Sequence, residues 1–307
     1  MKKKKILILG ANGLIGNFIF NNLSKTNKVF GLSHSQKNNK RIFKTDYKNF
    51  TKKIISLINQ SDFIINCIGE NSNEKKMEEI NINVLNNISL QIKKKKICFI
   101  HLSTCGVYET INPKKKINEN SKKNYNSLYS KTKMLGEKIL NKNLKDVSKL
   151  IILRPSQIIG ENMKNTSVKK LYYYIKIKMF FFINNKYSFF SYIFAEDLLN
   201  IIILLINKKP KNNIYNISNK INYYNLVKII QKDLNQSFSF PSVNYNFIKM
   251  LLFIFNKVLR IKLPINNRIL KSMTTYNIFN SQKIISDLKI KSFSEINVKS
   301  IKYLVND

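Results

Sequence analysis

Cysteine is scarce in this chain of 307 residues. Cys67, Cys98 and Cys105 are an odd number, without the spacing of a metal cluster or a disulfide framework. No metal site is expected, and the compartment expected is a reducing cytoplasm. Arginine is also rare for so basic a protein. The formal net charge is +37, yet arginine occurs only at Arg41, Arg154, Arg260 and Arg268, and arginine is the better reader of bases and phosphates. The lysine runs at 2–5, 93–96 and 114–116 are spread along the chain rather than gathered on one element. Lys, Asn, Ile, Phe and Tyr are abundant together and share A/T-rich codons, so base composition accounts for the lysines. Specific nucleic-acid binding is therefore not expected. The charge leaves room only for weak adhesion to an anionic membrane surface or RNA. Long apolar runs are missing as well. The run after Lys2–Lys5 is too short for a signal peptide. Those at 200–206 and 247–261 are too short, or broken by Lys249 and Lys257, for a membrane span. No internal repeat or flexible linker is present. With 44% hydrophobic residues, the chain has material for one large α/β domain or two joined lobes.

The organising stretch is Lys5 to Gly16. Ile6 to Leu9 is a short continuous apolar run, the pattern of a strand buried on both faces. Gly10, Gly13 and Gly16 follow at intervals of three, and a helix pattern starts at once with Leu14, Ile15, Phe18, Ile19 and Leu23. Strand, glycine turn and helix are the context of a dinucleotide fingerprint. Gly10 permits the tight turn, Gly13 leaves room for a pyrophosphate, and Gly16 lets helix and strand pack closely. The helix N-terminus offers its free N–H groups to the phosphates.

Further strands are expected at 28–32, 63–67, 97–103 and 150–153, with helices over 74–94 and 129–140 between them. Strands alternating with helices predict a parallel, doubly wound sheet. Past Pro155 helices are expected near 166–182, 195–207 and 223–234, with a strand at Asn213–Ile217. The acid that would hold a ribose 2′-hydroxyl is missing after the second strand. Ser33 and His34 stand there, followed by Lys37, which leans toward NADP over NAD. The aromatics at 172–174 and 180–182 are expected in the core more than in a substrate wall.

Tyr129 and Lys133 form a Tyr-x-x-x-Lys sequence. The pattern is cheap here, recurring from Tyr172, Tyr174, Tyr224 and Tyr245. Only the first copy opens a helix after a strand that ends in hydroxyl residues, Ser103 and Thr104. Positions i and i+4 share a helix face, so the ammonium is expected near the phenol, lowering its pKa from about 10. Tyr129 would then exchange a proton with a substrate hydroxyl or ketone, and Thr104 would hydrogen-bond the same oxygen.

Together these residues resemble the NAD-dependent epimerase/dehydratase family of extended short-chain dehydrogenase/reductases, over nearly the whole chain. Gly10-Ala-Asn-Gly13-Leu-Ile-Gly16 is similar to the family's glycine signature. Asp46, Asn66-Cys67-Ile68-Gly69, Asn83-Val84, Leu153-Arg154-Pro155 and Phe194-Ala195-Glu196-Asp197-Leu198 resemble its later elements in order. Thr104, Tyr129 and Lys133 match its catalytic triad, and Glu137 follows as usual. The resemblance implies a Rossmann-type domain over 1–155, with elements returning at about 190–220, and a smaller substrate-binding lobe from 156–189 and 221–307.

The cofactor set it implies is Gly10, Asn12, Gly13, Leu14, Ile15, Gly16, Ser33, His34, Asp46, Tyr47, Cys67, Ile68, Gly69, Asn83, Ser103, Tyr129, Lys133 and Pro155. The substrate set is Thr104, Cys105, Ser156, Asn162 and Arg268. The substrate implied is a nucleotide sugar, of the UDP-N-acetylhexosamine type from the tail around Arg268 and Asn280, and a homodimer is compatible with it. Two departures bear on the substrate: Asn280 stands where Asp is usual, and Phe190 where an arginine is common. Family dehydratases carry an Asp-Glu pair after the catalytic Thr, and Cys105 and Gly106 stand there instead. Neither supplies a carboxyl group, so no 4,6-dehydration is expected. A C4 epimerase and a 4-ketoreductase both remain, beside a catalytically silent dinucleotide-binding protein of the same fold.

Overall fold

A computed structural model describes residues 3–35, 39–92, 96–108, 116–125, 127–144, 149–183, 188–208, 213–254 and 278–305. The first part alternates strand and helix. It runs β1 (Lys5–Leu9), α1 (Leu14–Leu23), β2 (Lys28–Ser33), β3 (Ile42–Lys44), α2 (Lys52–Gln60) and β4 (Phe63–Asn66). Then come α3 (Glu74–Glu78), a π-helical turn (Glu79–Asn83), α4 (Val84–Ile92), β5 (Cys98–Leu102), α5 (Leu128–Leu144) and β6 (Lys149–Pro155). The remainder holds β7 (Gln157–Ile159), α6 (Thr166–Lys176), β8 (Phe182–Ile183), β9 (Phe189–Phe194), α7 (Ala195–Lys208) and β10 (Asn213–Ile217). It ends with β11 (Asn219–Asn222), α8 (Tyr223–Asp233), β12 (Ser242–Val243), α9 (Tyr245–Phe253), α10 (Gln282–Leu288) and α11 (Val298–Val305).

Seven strands form one sheet in the order β10-β6-β5-β4-β1-β2-β3, and every pairing in it is parallel. This is the doubly wound Rossmann-type sheet that the sequence predicts. The run Ile6–Leu9 is apolar throughout because both faces of β1 are covered. Ile6 and Ile8 point to a core shared with Ile19 and Phe20 of α1, Leu198 and Ile202 of α7, and Ile284 of α10. Leu7 and Leu9 point the other way, to Ile54 of α2, Ile88 of α4 and Leu140 of α5. Strand alternation thus sorts one run into two cores.

A second, three-stranded sheet, β11-β9-β7, carries its own core. There β9 sets Phe190, Tyr192 and Phe194 against Val168 and Ile175 of α6, Leu226 and Ile230 of α8, and Ile301 and Leu304 of α11. The aromatics at 180–182 join this side: Phe180 and Phe182 are buried in that core, while Tyr173 stays 56% exposed. Two expected helices come out differently. The one predicted over 166–182 stops at Lys176, since Lys178 is left-handed at φ 57° and Phe180 must turn into the core. The one over 74–94 is interrupted by the π turn. No helix among the described residues is long and apolar enough to cross a membrane.

Candidate active site

The sheet's register brings the loops after five strands to one edge. Leu9 pairs with Leu32 on one side and Asn66 on the other; Asn66 pairs with His101, and Leu102 with Leu153. In doubly wound folds ligands bind outside this carboxyl edge.

The glycine loop is built by contact. Gly10 adopts φ +75°, which a side chain resists. A Cβ on Gly16 would stand 2.1 Å from the Gly10 carbonyl oxygen, so only glycine lets α1 start this close to β1. Gly13 caps α1 without a side-chain hydrogen bond, which leaves the first-turn N–H groups for an anion. Leu14 is 49% exposed on that turn, and Ile15 packs partly against the core. Asn12 Nδ2 donates to the Ser35 carbonyl at 2.6 Å, tying the glycine loop to the β2 exit. Its Oδ1 is buried with no partner among the described residues, an acceptor left over for a ligand. Ser33 is buried, and exposed His34 lies edge-on to Tyr47 at 4.9 Å.

Asp46 is exposed and accepts from the backbone N–H groups of Lys48 and Asn49, which hold its carboxyl below the usual range. Tyr47 is buried, left-handed at φ 60°, and its hydroxyl accepts from Gly10 N at 3.2 Å. It braces the glycine loop from below.

The exit of β4 faces Lys133. Asn66 Oδ1 accepts from Ile68 N at 3.1 Å and fixes the loop. A Cβ on Gly69 would lie 3.6 Å from Lys133 Nζ and 3.8 Å from Asn81 Oδ1. The asparagine beside this loop is thus Asn81, which is 1% exposed. It accepts from Glu70 N at 2.9 Å and donates to Thr132 Oγ1 at 3.0 Å. The sequence expectation named Asn83 instead. Asn83 is exposed and donates to Glu79, on the rim near Lys48. The π turn is the reason: its extra residue shifts the helical register and swings Asn81 inward. The interruption of the apolar period at Ile80-Asn81-Ile82-Asn83 was its trace in the sequence.

Tyr129 and Lys133 stand one turn apart on α5. Lys133 is 2% exposed, and its Nζ donates to the Leu102 carbonyl at 2.6 Å. Burial lowers its pKa to about 8. Tyr129 moves opposite to expectation: burial raises the phenol to about 12, and Lys133 does not offset this. Thr104 opens a short 3-10 turn, its hydroxyl accepting from Gly106 N at 3.0 Å. Gly106 is pressed against the first turn of α5, where an added Cβ would stand 2.8 Å from Ser130 Oγ and 3.4 Å from Thr104 Oγ1. That contact brings Thr104 to the end of the helix that carries Tyr129.

The substrate set separates. Cys105, expected at the substrate, is 2% exposed with its Sγ donating to the Arg154 carbonyl at 3.0 Å, because the 3-10 turn points it into the protein. Pro155 is buried, and Ser156 Oγ is buried without a partner among the described residues. Asn162 is exposed after β7; the buried neighbour is Asn165, which grips Gly160 N and O. Arg268 lies outside the described residues. Phe190, in the arginine position, is core. Cys67 follows β4, its thiol pushed up to about 12 by burial.

A parallel sheet, a glycine loop with a bare helix end and a buried lysine at the same carboxyl edge define a Rossmann-type fold. The chain matches the NAD dependent epimerase/dehydratase family over residues 6–218, and it belongs to that family. Solved structures share the fold. A UDP-glucuronic acid 4-epimerase from Bacillus cereus, in complex with NAD, is 17% identical with a TM-score of 0.71, covering 98% of this chain and 99% of that one. A UDP-N-acetylglucosamine 4-epimerase from Bacillus cereus is 16% identical with a TM-score of 0.71, covering 99% and 98%. A dTDP-4-dehydrorhamnose reductase from Bacillus anthracis, in complex with NADP, is 17% identical with a TM-score of 0.65, covering 99% and 97%. No curated protein matches this chain.

Proposed function

We propose that the protein is a nucleotide-sugar epimerase or 4-ketoreductase that moves a hydride at C4 of a UDP-(N-acetyl)hexosamine-type substrate. The observation that carries this reading is Lys133 Nζ donating to the Leu102 carbonyl at 2.6 Å and to the Ile68 carbonyl at 3.5 Å, with Tyr129 one turn away at the edge where α/β ligands bind. The nicotinamide dinucleotide, when bound along the glycine loop, supplies the hydride chemistry. The α1 N-terminus receives its phosphates, and Asn12 Oδ1 accepts a hydroxyl there. Tyr129 exchanges the proton of the C4 oxygen. With its pKa near 12 the phenol is protonated at neutral pH, and so is ready as the acid of a ketone reduction. Thr104 hydrogen-bonds the same oxygen, and Ser156 Oγ, buried without a partner among the described residues, is left to meet the sugar. No acid stands at Ser33–Ser35 to repel a 2′-phosphate, which favours NADP. Surface-polysaccharide biosynthesis in the cytoplasm is the setting in which such sugars are made.

The test is a screen of UDP-, dTDP- and GDP-sugars, with and without a 4-keto group, followed by NAD(P)H absorbance and product chromatography. Reduction of a 4-keto-6-deoxy sugar by NADPH, or conversion of UDP-N-acetylglucosamine to its C4 epimer with catalytic NAD, is the expected result. A 4-keto-6-deoxy product from UDP-N-acetylglucosamine would overturn the argument from Cys105 and Gly106. Cofactor binding with no turnover on any sugar would overturn the reading as an enzyme.

A further inference from the structure

The parallel ribbon of β8 and β12, with the residues next to it, separates two apolar layers. On one side Phe180, Phe182 and Phe240 enter the aromatic core. On the other, Phe181, Ile183 and Val243 meet Ile248 and Leu252 of α9. That contact accounts for the inward face of α9. Its outward face is not the polar one that a surface helix normally presents. Phe247 and Met250 are each 50% exposed, and Phe253 is 57% exposed. They recur at intervals of three, and Lys249 is the single charged residue in the helix. A helix that is apolar on both sides belongs in a core, or between a core and a second apolar phase.

The charge in this part of the chain has one sign. Between Asp233 and Asp287 the sequence has seven lysines and arginines and no acidic residue, and Lys249 is exposed on α9 itself. A second copy of the chain brings the same net charge of +37, which works against self-association through this face. A surface with anionic groups outside and an apolar interior complements both features. We propose that α9 docks the protein on an anionic lipid bilayer, with Phe247, Met250 and Phe253 among the acyl chains and the lysines at the headgroup phosphates. The nine residues of α9 rise only about 14 Å, against a hydrocarbon core of about 30 Å. The helix therefore lies in the membrane surface and does not cross it. None of these residues belongs to the proposed catalytic or cofactor set, so docking does not depend on that reading.

Co-sedimentation of the whole protein with vesicles tests this. Vesicles of phosphatidylcholine mixed with phosphatidylglycerol should carry the protein down, pure phosphatidylcholine vesicles should carry far less, and salt should weaken the binding. Phe247→Ser/Met250→Ser keeps the charge and removes only exposed apolar groups. It should fold with an unchanged urea midpoint and lose roughly tenfold or more in vesicle partitioning. Lys249→Glu leaves the apolar face whole; it should also bind more weakly at low salt, and the deficit should shrink as salt is added. Equal binding by the wild type and a folded Ser pair would mean adhesion by scattered lysines and would overturn the inference. Absence of binding to the anionic vesicles would overturn it too. So would a dimer, seen by sedimentation velocity and abolished by the Ser pair, in a protein that ignores vesicles, since the face would then join two copies. Should the Ser pair fail to fold, Lys249→Glu carries the test, and undiminished binding by it at low salt counts against α9.

Discussion

At the carboxyl edge of the large sheet the protein buries Asn66, His101, Arg154 and Glu137, none more than 2% exposed. Around β9 it buries Phe180, Phe182, Phe190, Tyr192, Phe194 and Phe240 instead. The two cores hold by different physics. Each buried polar group at the edge needs a partner at one distance and angle, so a misplaced atom there is costly. The aromatic core is held by area and by edge-on ring contacts, such as Phe180 against Phe182 at 5.0 Å and against Phe240 at 5.3 Å. Rings repack, whereas a bidentate Arg–Glu pair does not. One half is therefore specified by geometry and the other by volume.

The sharpest way to break the first half is a methyl group. Gly16→Ala sets a Cβ 2.1 Å from a backbone carbonyl oxygen that cannot yield without unseating β1 or α1. A stability loss of about 3 kcal/mol or more is expected, with loss of NAD(H) binding, read by urea denaturation and fluorescence titration. In Gly13→Ala the added Cβ meets the Gly10 carbonyl oxygen at 3.3 Å. Folding should survive there while cofactor binding falls. Equal folding losses in the two variants would remove the distinction between the packing glycine and the phosphate glycine.

Tyr129→Phe tests the chemistry of the same half. The ring stays and the proton carrier goes, so turnover should drop by about two orders of magnitude or more while cofactor titrations stay unchanged. Retained turnover would exclude Tyr129 as the acid.

These two halves were not equally legible in the sequence. The strands, the glycine loop and the Tyr–Lys helix could be read because each imposes a local pattern: an apolar run, a glycine interval, an i,i+4 pair. Asn81 was harder to read, since its inward turn depends on a π insertion whose only local trace is the broken apolar period at 80–83. Cys105 was read as a substrate contact because nothing local reveals that the turn after Thr104 points it inward. The phenol's upward shift was missed for a related reason. Sequence spacing shows which charges can meet, but burial, the larger effect here, is a property of the whole fold. In the second core the sequence pointed to helices and to buried aromatics at 180–182, but not to which rings would meet, because volume filling leaves no positional signature to read. The left-handed Lys178, which ends α6 early, is set by Phe180 packing rather than by any breaker residue.

Phe180→Leu probes that second core. It should lower stability by about 1–2 kcal/mol, the range of a large-to-smaller change that neighbours can partly refill, and leave cofactor affinity untouched. A matching loss of cofactor binding would show that the two cores are not independent.

The last effect depends on pH and is the most specific. Asn66 Oδ1 is committed to Ile68 N, so its amide nitrogen faces His101 Nδ1 at 2.8 Å. Nδ1 must then accept, and Nε2 carries the hydrogen, buried and without a partner among the described residues. A second proton would set two donors against each other, in a site where burial and Lys133 already hold the imidazole well below its usual 6.5. The folded protein thus excludes a proton that the unfolded chain takes up below pH 6.5. Stability therefore falls as pH drops through that value, by up to about 1.4 kcal/mol for each unit. Urea midpoints at pH 7, 6 and 5 should show this slope in the wild type and in Phe180→Leu. In His101→Gln, whose amide oxygen accepts from Asn66 in place of Nδ1, the slope should flatten. If the Gln variant kept the full slope, the acid sensitivity would belong to other groups, and the strict polar geometry of this edge would not extend to His101.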